Sequence, residues 1–524
     1  MQSVLMIARE YKGIAEAGGV KDVVTGLACA LVKQGLEVFV VIPRYGFVPT
    51  HGIEPLGGRL SIPMDYAAQE RSEEVGFGLL VQNGVQVVLV EAERFAEKQG
   101  VYTYTAQEEA KEPWKRRGEG HFDYFAMNVL LEKAALSFCV LKGLKPSVIH
   151  CHDGHAALAP ALARTLLGFS PYFLTTRFVV TVHNAGLGYH QEVADIPFAK
   201  AVTGLSHGLI ASSMLNGAFD PLLACADYAA MNTVSPNYAR ELQETDLDAM
   251  TGWLGHVLKA RGVTLHGITN GIDPGEFDAK NAQELGLPAS FDPLSGDLAG
   301  KLAARQRLWE VISRGESAGV RIHGALNRVP ELPCLTMVSR LTEQKGIDVL
   351  IPGLQMLLSQ DKAVQCVVMG SGKEEFEKAL VQLAWRNEYA GRMAVCLGFD
   401  QGLANLIYAA GDFFLIPSHY EPCGLTDFMA QLMGNLPIVR ATGGLVKVLD
   451  GVTGFSYVEH TPKALLEAIV RALEVFRTNR NQILQMQRQS VQLIYERYTW
   501  EKVAQEYLQF YESAPVPKAG LEKL

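Results

Sequence analysis

The 524-residue chain has no CxxC pair, no GxGxxG or GxxxxGK[ST] loop, no excess of positive charge and no segment approaching the roughly 20 apolar residues that span a bilayer. Each absence removes a class of function. Its eight cysteines (Cys29, Cys139, Cys151, Cys225, Cys334, Cys366, Cys396 and Cys423) are scattered, and read as apolar residues of a reducing compartment rather than a disulfide framework. Without the glycine fingerprints, hydride transfer on a dinucleotide and nucleoside triphosphate hydrolysis lose support. With 47 Lys and Arg against 56 Asp and Glu, the net charge of -9 argues against nucleic acid or acidic lipid as the main partner, since both need a positive face that displaces counterions. Residues 1–8 form a short apolar run with no cationic leader, so a cytoplasmic protein with no membrane partner is expected. Internal repeats of solenoid length are also missing.

What the chain does have is an alternation of apolar strands with helix-length segments, the pattern of a parallel sheet covered on both faces. Its length exceeds what one core serves, and two such runs are visible. In the first, strands are expected at residues 4–8, 38–42, 147–151, 178–182 and 228–233, with helices at about 20–34, 124–141 and 155–167. Asn83-Gly84 between apolar stretches signals a tight hairpin inserted at residues 78–90. In the second run, strands are expected at 335–338, 364–369, 393–397 and 413–416. Pro274, Pro288, Pro293 and several glycines place the crossing between domains in residues 270–328.

Four polar junctions each follow an expected strand: Glu16-Ala17-Gly18-Gly19, Val182-His183-Asn184, residues 339–346, and Leu415-Ile416-Pro417-Ser418-His419-Tyr420-Glu421-Pro422-Cys423-Gly424-Leu425-Thr426. Ligands of open parallel sheets bind beyond the carboxyl ends of the strands, which is the edge these junctions share. Gly18 and Gly19 precede a helix, where missing side chains let backbone amides approach a phosphate or sugar; a tight turn is the plainer reading. Arg340 and Lys345 could neutralise a diphosphate leaving group, the first as a fork and the second as a point charge, unless both are solvated beside Glu343. Glu421 stands at a helix start, as a fixed acceptor or simply a surface carboxylate steadied by the helix dipole. Cys423 there is expected to pack. His183 and Asn184 should leave the sheet at its functional edge, with Asp153 and His155 able to share their pocket. In His150-Cys151-His152-Asp153-Gly154-His155 strand alternation puts His150 and His152 on one side and Cys151 on the other, which favours a polar strand end lining a cleft over a metal site.

These residues carry a family resemblance. The sequence resembles bacterial glycogen synthases and plant starch synthases, retaining enzymes that extend an α-1,4-glucan from ADP-glucose. The resemblance rests on Gly18-Gly19-Val20-Lys21-Asp22-Val23, His152-Asp153-Gly154-His155-Ala156, Val234-Ser235-Pro236-Asn237-Tyr238-Ala239-Arg240-Glu241, Asn270-Gly271-Ile272-Asp273, Ser339 to Gly346, Glu421 to Thr426 and Thr442-Gly443-Gly444-Leu445, all in family order. It covers most of the chain and is thinnest at about residues 50–120 and 185–225. It implies a GT-B type α/β fold: two Rossmann-like domains, 1–270 on the acceptor side and 271–497 on the nucleotide-sugar side, facing across a deep cleft, with a final helix in 498–524 crossing back to the first. It further implies that Arg340 and Lys345 hold the donor diphosphate, that Glu421 binds glucosyl hydroxyls with the amides of Gly424, Leu425 and Thr426 and with Cys423 nearby, and that His183 lies beside the anomeric centre. Asn270 and Asp22 would contact the donor sugar, Phe399 would stack on the base, and domain closure would bring Gly18 and Gly19 to the diphosphate. No cofactor or metal is implied.

Relatives usually carry Lys where this chain has Glu16, before Ala17 and the glycine pair. A carboxylate beside a diphosphate repels it by about a kcal/mol or more unless Glu16 turns away or Lys12 or Lys21 compensates. UDP-glucose or another acceptor, or a catalytically weak glucan-binding or regulatory homologue, are therefore the alternative functions.

Overall fold

The structure, a computed structural model, describes residues 1–516 apart from Ala67, Ala318 and Lys362. It divides into two compact units: Met1–Gly271 together with the chain from Trp500 onward, and Ile272–Thr499.

In the first unit, seven strands run parallel in the order His266–Gly267, Ala230–Thr233, Arg177–Val182, Val148–His152, Ser3–Ile7, Glu37–Pro43 and Val85–Glu91. Ser3–Ile7 and Val148–His152 are buried at every position, as strands covered on both faces must be. Chain order reverses direction between them, so the segments after Ile7 and after His152 flank the crevice where such sheets bind ligands. The Asn83-Gly84 turn, with both residues at positive φ, joins Ser72–Gln82 to Val85–Glu91. The second of these strands also pairs in parallel with Glu37–Pro43, so the hairpin belongs to the main sheet rather than being a mere insertion.

Two expectations change here. The helix expected at 155–167 is Ala159–Thr165, because Asp153 adopts φ 60, residues 154–158 turn tightly, and Pro160 opens the helix proper. Contrary to the sequence expectation, one helix among the described residues, Tyr124–Lys142, is long and apolar enough to cross a membrane; its apolarity is accounted for by burial, with 78% of its most apolar stretch inside the protein. Helix Trp500–Ser513 closes the unit. Val503, Ala504, Tyr507, Phe510 and Tyr511 form its buried stripe, and the Trp500 indole lies where any side chain at Gly26 or Gly271 would stand. Residues 517–524 of the expected C-terminal helix span lie outside the described residues.

The second unit's sheet runs Glu316–Ser317, Val320–Leu326, Arg392–Leu397, Gln365–Gly370, Cys334–Val338, Phe413–Ile416, Leu436–Arg440 and Phe455–Tyr457, parallel from Arg392–Leu397 onward. Its chain order reverses between Cys334–Val338 and Phe413–Ile416. Of the expected crossing at residues 270–328, everything from Ile272 onward folds within this unit. Helix Ala299–Arg314 packs on helix Gln401–Ala410, and Lys301 donates to the carbonyls of Ala409 and Met433 at 2.8 Å each. The prolines that suggested a linker instead shape the turns leading into that helix.

Candidate functional site

In the second unit, strand Cys334–Val338 leads through Ser339, Arg340 and the turn Glu343–Lys345 to Gly346, at φ 72, and then helix Ile347–Gln360. Only glycine fits at 346, because φ is positive and a Cβ would strike the Pro417 carbonyl of the neighbouring loop. That close approach holds two loops together: the His419 N–H donates to the Gln344 carbonyl at 2.8 Å, and Lys345 Nζ donates to Glu421 Oε2 at 2.6 Å. Ser418 Oγ donates to the same carboxylate oxygen at 2.9 Å. Burial alone would raise the Glu421 pKa, but Lys345 and Ser418 outweigh it and hold the carboxyl below its ordinary value, so Glu421 is a carboxylate at neutral pH. Arg340 is exposed, and its one side-chain bond among the described residues is to Gln344 Oε1 at 3.2 Å, which leaves most of its donors unengaged.

Beneath this pair, Lys447 Nζ donates to the carbonyls of Cys423 and Gly424 at 2.6 and 2.8 Å and lies 3.1 Å from Asp427. Side chains at Gly443 and Gly444 would strike the carbonyls of Glu421 and Cys423. Cys423 is buried, in keeping with packing, while Leu425 and Thr426 are partly exposed at the start of helix Thr426–Leu432. Phe399, 63% exposed, follows the carboxyl end of Arg392–Leu397, two strands from Cys334–Val338. The sequence reading gave Lys447 no role; its signal is a cation three residues beyond the Gly443-Gly444 pair.

In the first unit, the glycine loop differs from expectation. Glu10 is fully buried and accepts the N–H groups of Ala17 at 2.8 Å and Gly18 at 2.5 Å, together with the Tyr102 hydroxyl at 2.6 Å. The Gly18 amide is thus taken by the protein's own carboxylate, whereas Gly19, with open space where a side chain would be, caps helix Val20–Lys33. Glu10 was missed although it directly follows an apolar strand and a basic neighbour. Glu16 accepts the Gly13 N–H at 2.6 Å and lies 4.0 Å from Lys21, whose ammonium also pairs with Asp22 at 2.8 Å.

Asp153, His155, His183 and Asn184 come together at the same edge. The Asp153 carboxylate accepts the His183 N–H at 2.6 Å, Asn184 Oδ1 accepts the Gly186 N–H at 2.8 Å, and the His155 ring lies 4.9 Å from that of Tyr102. His183 Nε2 is 2.9 Å from His152 Nδ1, and the rings of His150 and His152 share one face 4.2 Å apart. Asn270 is buried, and its Oδ1 has no partner among the described residues. Among the described residues no three His, Cys, Asp or Glu side chains are grouped to hold a metal ion.

Burial raises the Asp153 carboxyl to about 7, against the opposing hydrogen bonds from the His183 and Asn184 backbones. A carboxyl whose folded pKa is raised favours the fold below its unfolded value of about 3.9, and that contribution is lost as pH climbs toward 7. Asp153→Asn keeps an acceptor without the charge. Its melting temperature relative to the parent should rise by several degrees between about pH 5 and 8; a difference that stays flat across that range contradicts the raised pKa.

The sequence matches the family profile described as starch synthase catalytic domain over residues 3–260, and glycosyl transferases group 1 over 333–475. It is 36% identical over 496 residues to a glycogen synthase of Anaeromyxobacter dehalogenans (strain 2CP-1 / ATCC BAA-258), covering 91% of this chain and 92% of that protein. The chain belongs to the glycogen and starch synthase family. It is accordingly a retaining glycosyltransferase of that type. A glycogen synthase of Aeromonas salmonicida (strain A449) is 31% identical, with 98% of each chain covered. The fold is shared with the catalytic domain of starch synthase IV from Arabidopsis thaliana bound to ADP and acarbose, at a TM-score of 0.77 and 23% identity over 98% of this chain and 99% of that one. Family membership agrees with the two Rossmann-like sheets, each carrying its polar residues on either side of its own point of reversal.

Proposed function

We propose that the protein transfers glucose from ADP-glucose to the nonreducing end of an α-1,4-glucan with retention of configuration, in the cytoplasm. The observation that carries this reading is the hydrogen-bonded Lys345–Glu421 pair at the second sheet's reversal point, with the largely unengaged Arg340 fork on the same loop. Arg340 and Lys345 bind the diphosphate, and Glu421 accepts hydroxyls of the transferred glucose. The amides of Gly424, Leu425 and Thr426 lie along the donor beside Cys423, and Phe399 offers an exposed ring to the base. From the first unit, Gly18, Gly19, Asp22 and Asn270 serve the donor, with Gly18 acting through its conformation because Glu10 occupies its amide. Asp153, His155 and Asn184 shape the acceptor side, and His183 stands beside the anomeric carbon.

The acceptor hydroxyl oxygen bonds to the anomeric carbon as the bond to the diphosphate breaks. Its proton passes to the departing phosphate oxygen, and Arg340 and Lys345 stabilise the charge on ADP. Two cations, Lys345 held by Glu421 and Arg340 free to close on the diphosphate, supply the charge that a divalent ion would otherwise bring, so chelation should leave turnover within about twofold of the untreated enzyme. A loss of tenfold or more on EDTA, restored by a metal, contradicts that part. Initial rates with ADP-glucose and UDP-glucose on glycogen test the donor, and UDP-glucose outpacing ADP-glucose rejects it.

The weak-homologue alternative rested on Glu16. Its hydrogen bond from Gly13 and its proximity to Lys21 offset the charge, which favours an active enzyme. Glu16→Lys is therefore expected to change turnover by no more than roughly threefold, about 0.6 kcal/mol; a gain of two orders of magnitude would indicate a degraded site.

A further inference from the structure

His183 and His152 are both buried, and each offers two ring nitrogens. Only one proton can lie between His152 Nδ1 and His183 Nε2, which are 2.9 Å apart with their rings within 15° of parallel. Burial pushes His183 down to about 3 and His152 well below its ordinary value, so both rings are neutral and each carries a single N–H. Two arrangements satisfy the hydrogen bond, and the remaining nitrogens distinguish them.

Among the described residues His152 Nε2 is sealed from solvent and has no partner, whereas His183 Nδ1 makes no protein hydrogen bond and is not one of the sealed nitrogens. If His183 donated from Nε2, the proton of His152 would sit on its sealed Nε2, a buried N–H with no acceptor. With the donor reversed, only a bare lone pair is left there. Orphaned buried N–H groups are the rarer and costlier defect. His150 leaves the sealed nitrogen unrelieved, because its own nitrogens are engaged by Thr181 Oγ1 at 2.6 Å and the Tyr511 hydroxyl at 2.8 Å.

We propose that His152 is a positioning residue that donates from Nδ1 to His183 and thereby fixes His183 as a neutral ring presenting its own Nδ1–H toward the reacting sugar. This deepens the function proposed above and rests on its placement of His183. In this state His183 has no free basic nitrogen: Nε2 is bound and Nδ1 already carries a proton. It can donate a hydrogen bond to a sugar hydroxyl, and it cannot remove the acceptor's proton. The proton of the attacking hydroxyl must go elsewhere, which agrees with transfer to the departing phosphate oxygen.

The tautomer is read directly in histidine-labelled full-length protein by long-range ¹H–¹⁵N correlation at neutral pH, with His183→Gln used to assign the ring. A protonated Nδ1 and a bare Nε2 on His183 are expected; a proton on Nε2, or on both nitrogens, overturns the proposal. The kinetic arm compares His152→Leu with His152→Asn, whose carboxamide N–H falls near the place of Nδ1. Leu should lower kcat roughly 10–100-fold with the donor KM within about threefold, and Asn should recover most of the loss. Equal losses in both variants, in protein of parental melting temperature, count against positioning through the hydrogen bond. Should the Leu variant fail to fold, the NMR measurement still decides. Full turnover by His183→Ala would instead reject the placement of His183, leaving the measured tautomer as it stands.

Discussion

Lys345→Ala is expected to lower kcat with ADP-glucose roughly 10²–10⁴-fold, about 3–5 kcal/mol of transition-state stabilisation. The ammonium ties the two loops together at the sheet's reversal point, held by Glu421 at 2.6 Å and rooted at Gly346, which only a glycine can occupy. Its charge is already oriented when the diphosphate departs, so little reorganisation is needed at the moment of reaction. A second consequence concerns stability. The Glu421 pKa is held below its ordinary value, so the pair's contribution is present above about pH 4.5 and lost as pH falls through the lower folded value. Removing the ammonium leaves a carboxylate in a site where its side chain is 11% exposed, a change that costs up to about 3–5 kcal/mol for fully buried pairs. Destabilisation should therefore be larger at pH 7 than at pH 4. Turnover within tenfold of the parent, in folded protein, would reject the role given to Lys345.

Glu421→Ala should also cost roughly 10²–10³-fold in kcat/KM, for a different reason. It removes the acceptor expected to receive glucosyl hydroxyls and frees Lys345 and Ser418, both of which donate to it. Glu421→Gln separates the two effects. If hydroxyl recognition dominates, the amide recovers part of kcat/KM; if the charge that orients Lys345 dominates, Gln behaves like Ala. Isothermal titration with ADP adds a check, since neither variant should strengthen ADP binding more than about tenfold. Near-parental kcat/KM in Glu421→Ala would remove this residue from the site.

Much of the frame could be read from residue order. Strands such as Cys334–Val338 and Arg177–Val182 are almost wholly buried, and a continuous apolar run ending in a polar junction shows such a strand without any partner being known. The junctions after Val182, Val338 and Ile416 were legible for the same reason. Interactions that depend on distant residues were not. Glu10 looks like an ordinary charge after a strand until Tyr102, far along the chain, is seen donating to it. His152 was grouped with its sequence neighbours, whereas its partner is His183, just past the end of the adjacent strand. Residues 272–328 looked like a linker because proline and glycine mark turns equally well inside a domain and between domains. The apolarity of Tyr124–Lys142 was underrated because Glu132 and Lys133 interrupt it; both find partners inside the fold, at Leu158 and at Pro63 and Val202.

Helix Trp500–Ser513 has a consequence for biosynthesis. During translation, all of Ile272–Thr499 must emerge before the indole of Trp500 can reach Gly26, or Tyr507 and Tyr511 can enter the interior beside His150. Until then the nascent first unit keeps an unfilled apolar seam, the kind of surface that chaperones hold. Ribosome stalling anywhere in the intervening stretch should leave that half unfinished and sensitive to protease, however completely its strands have paired.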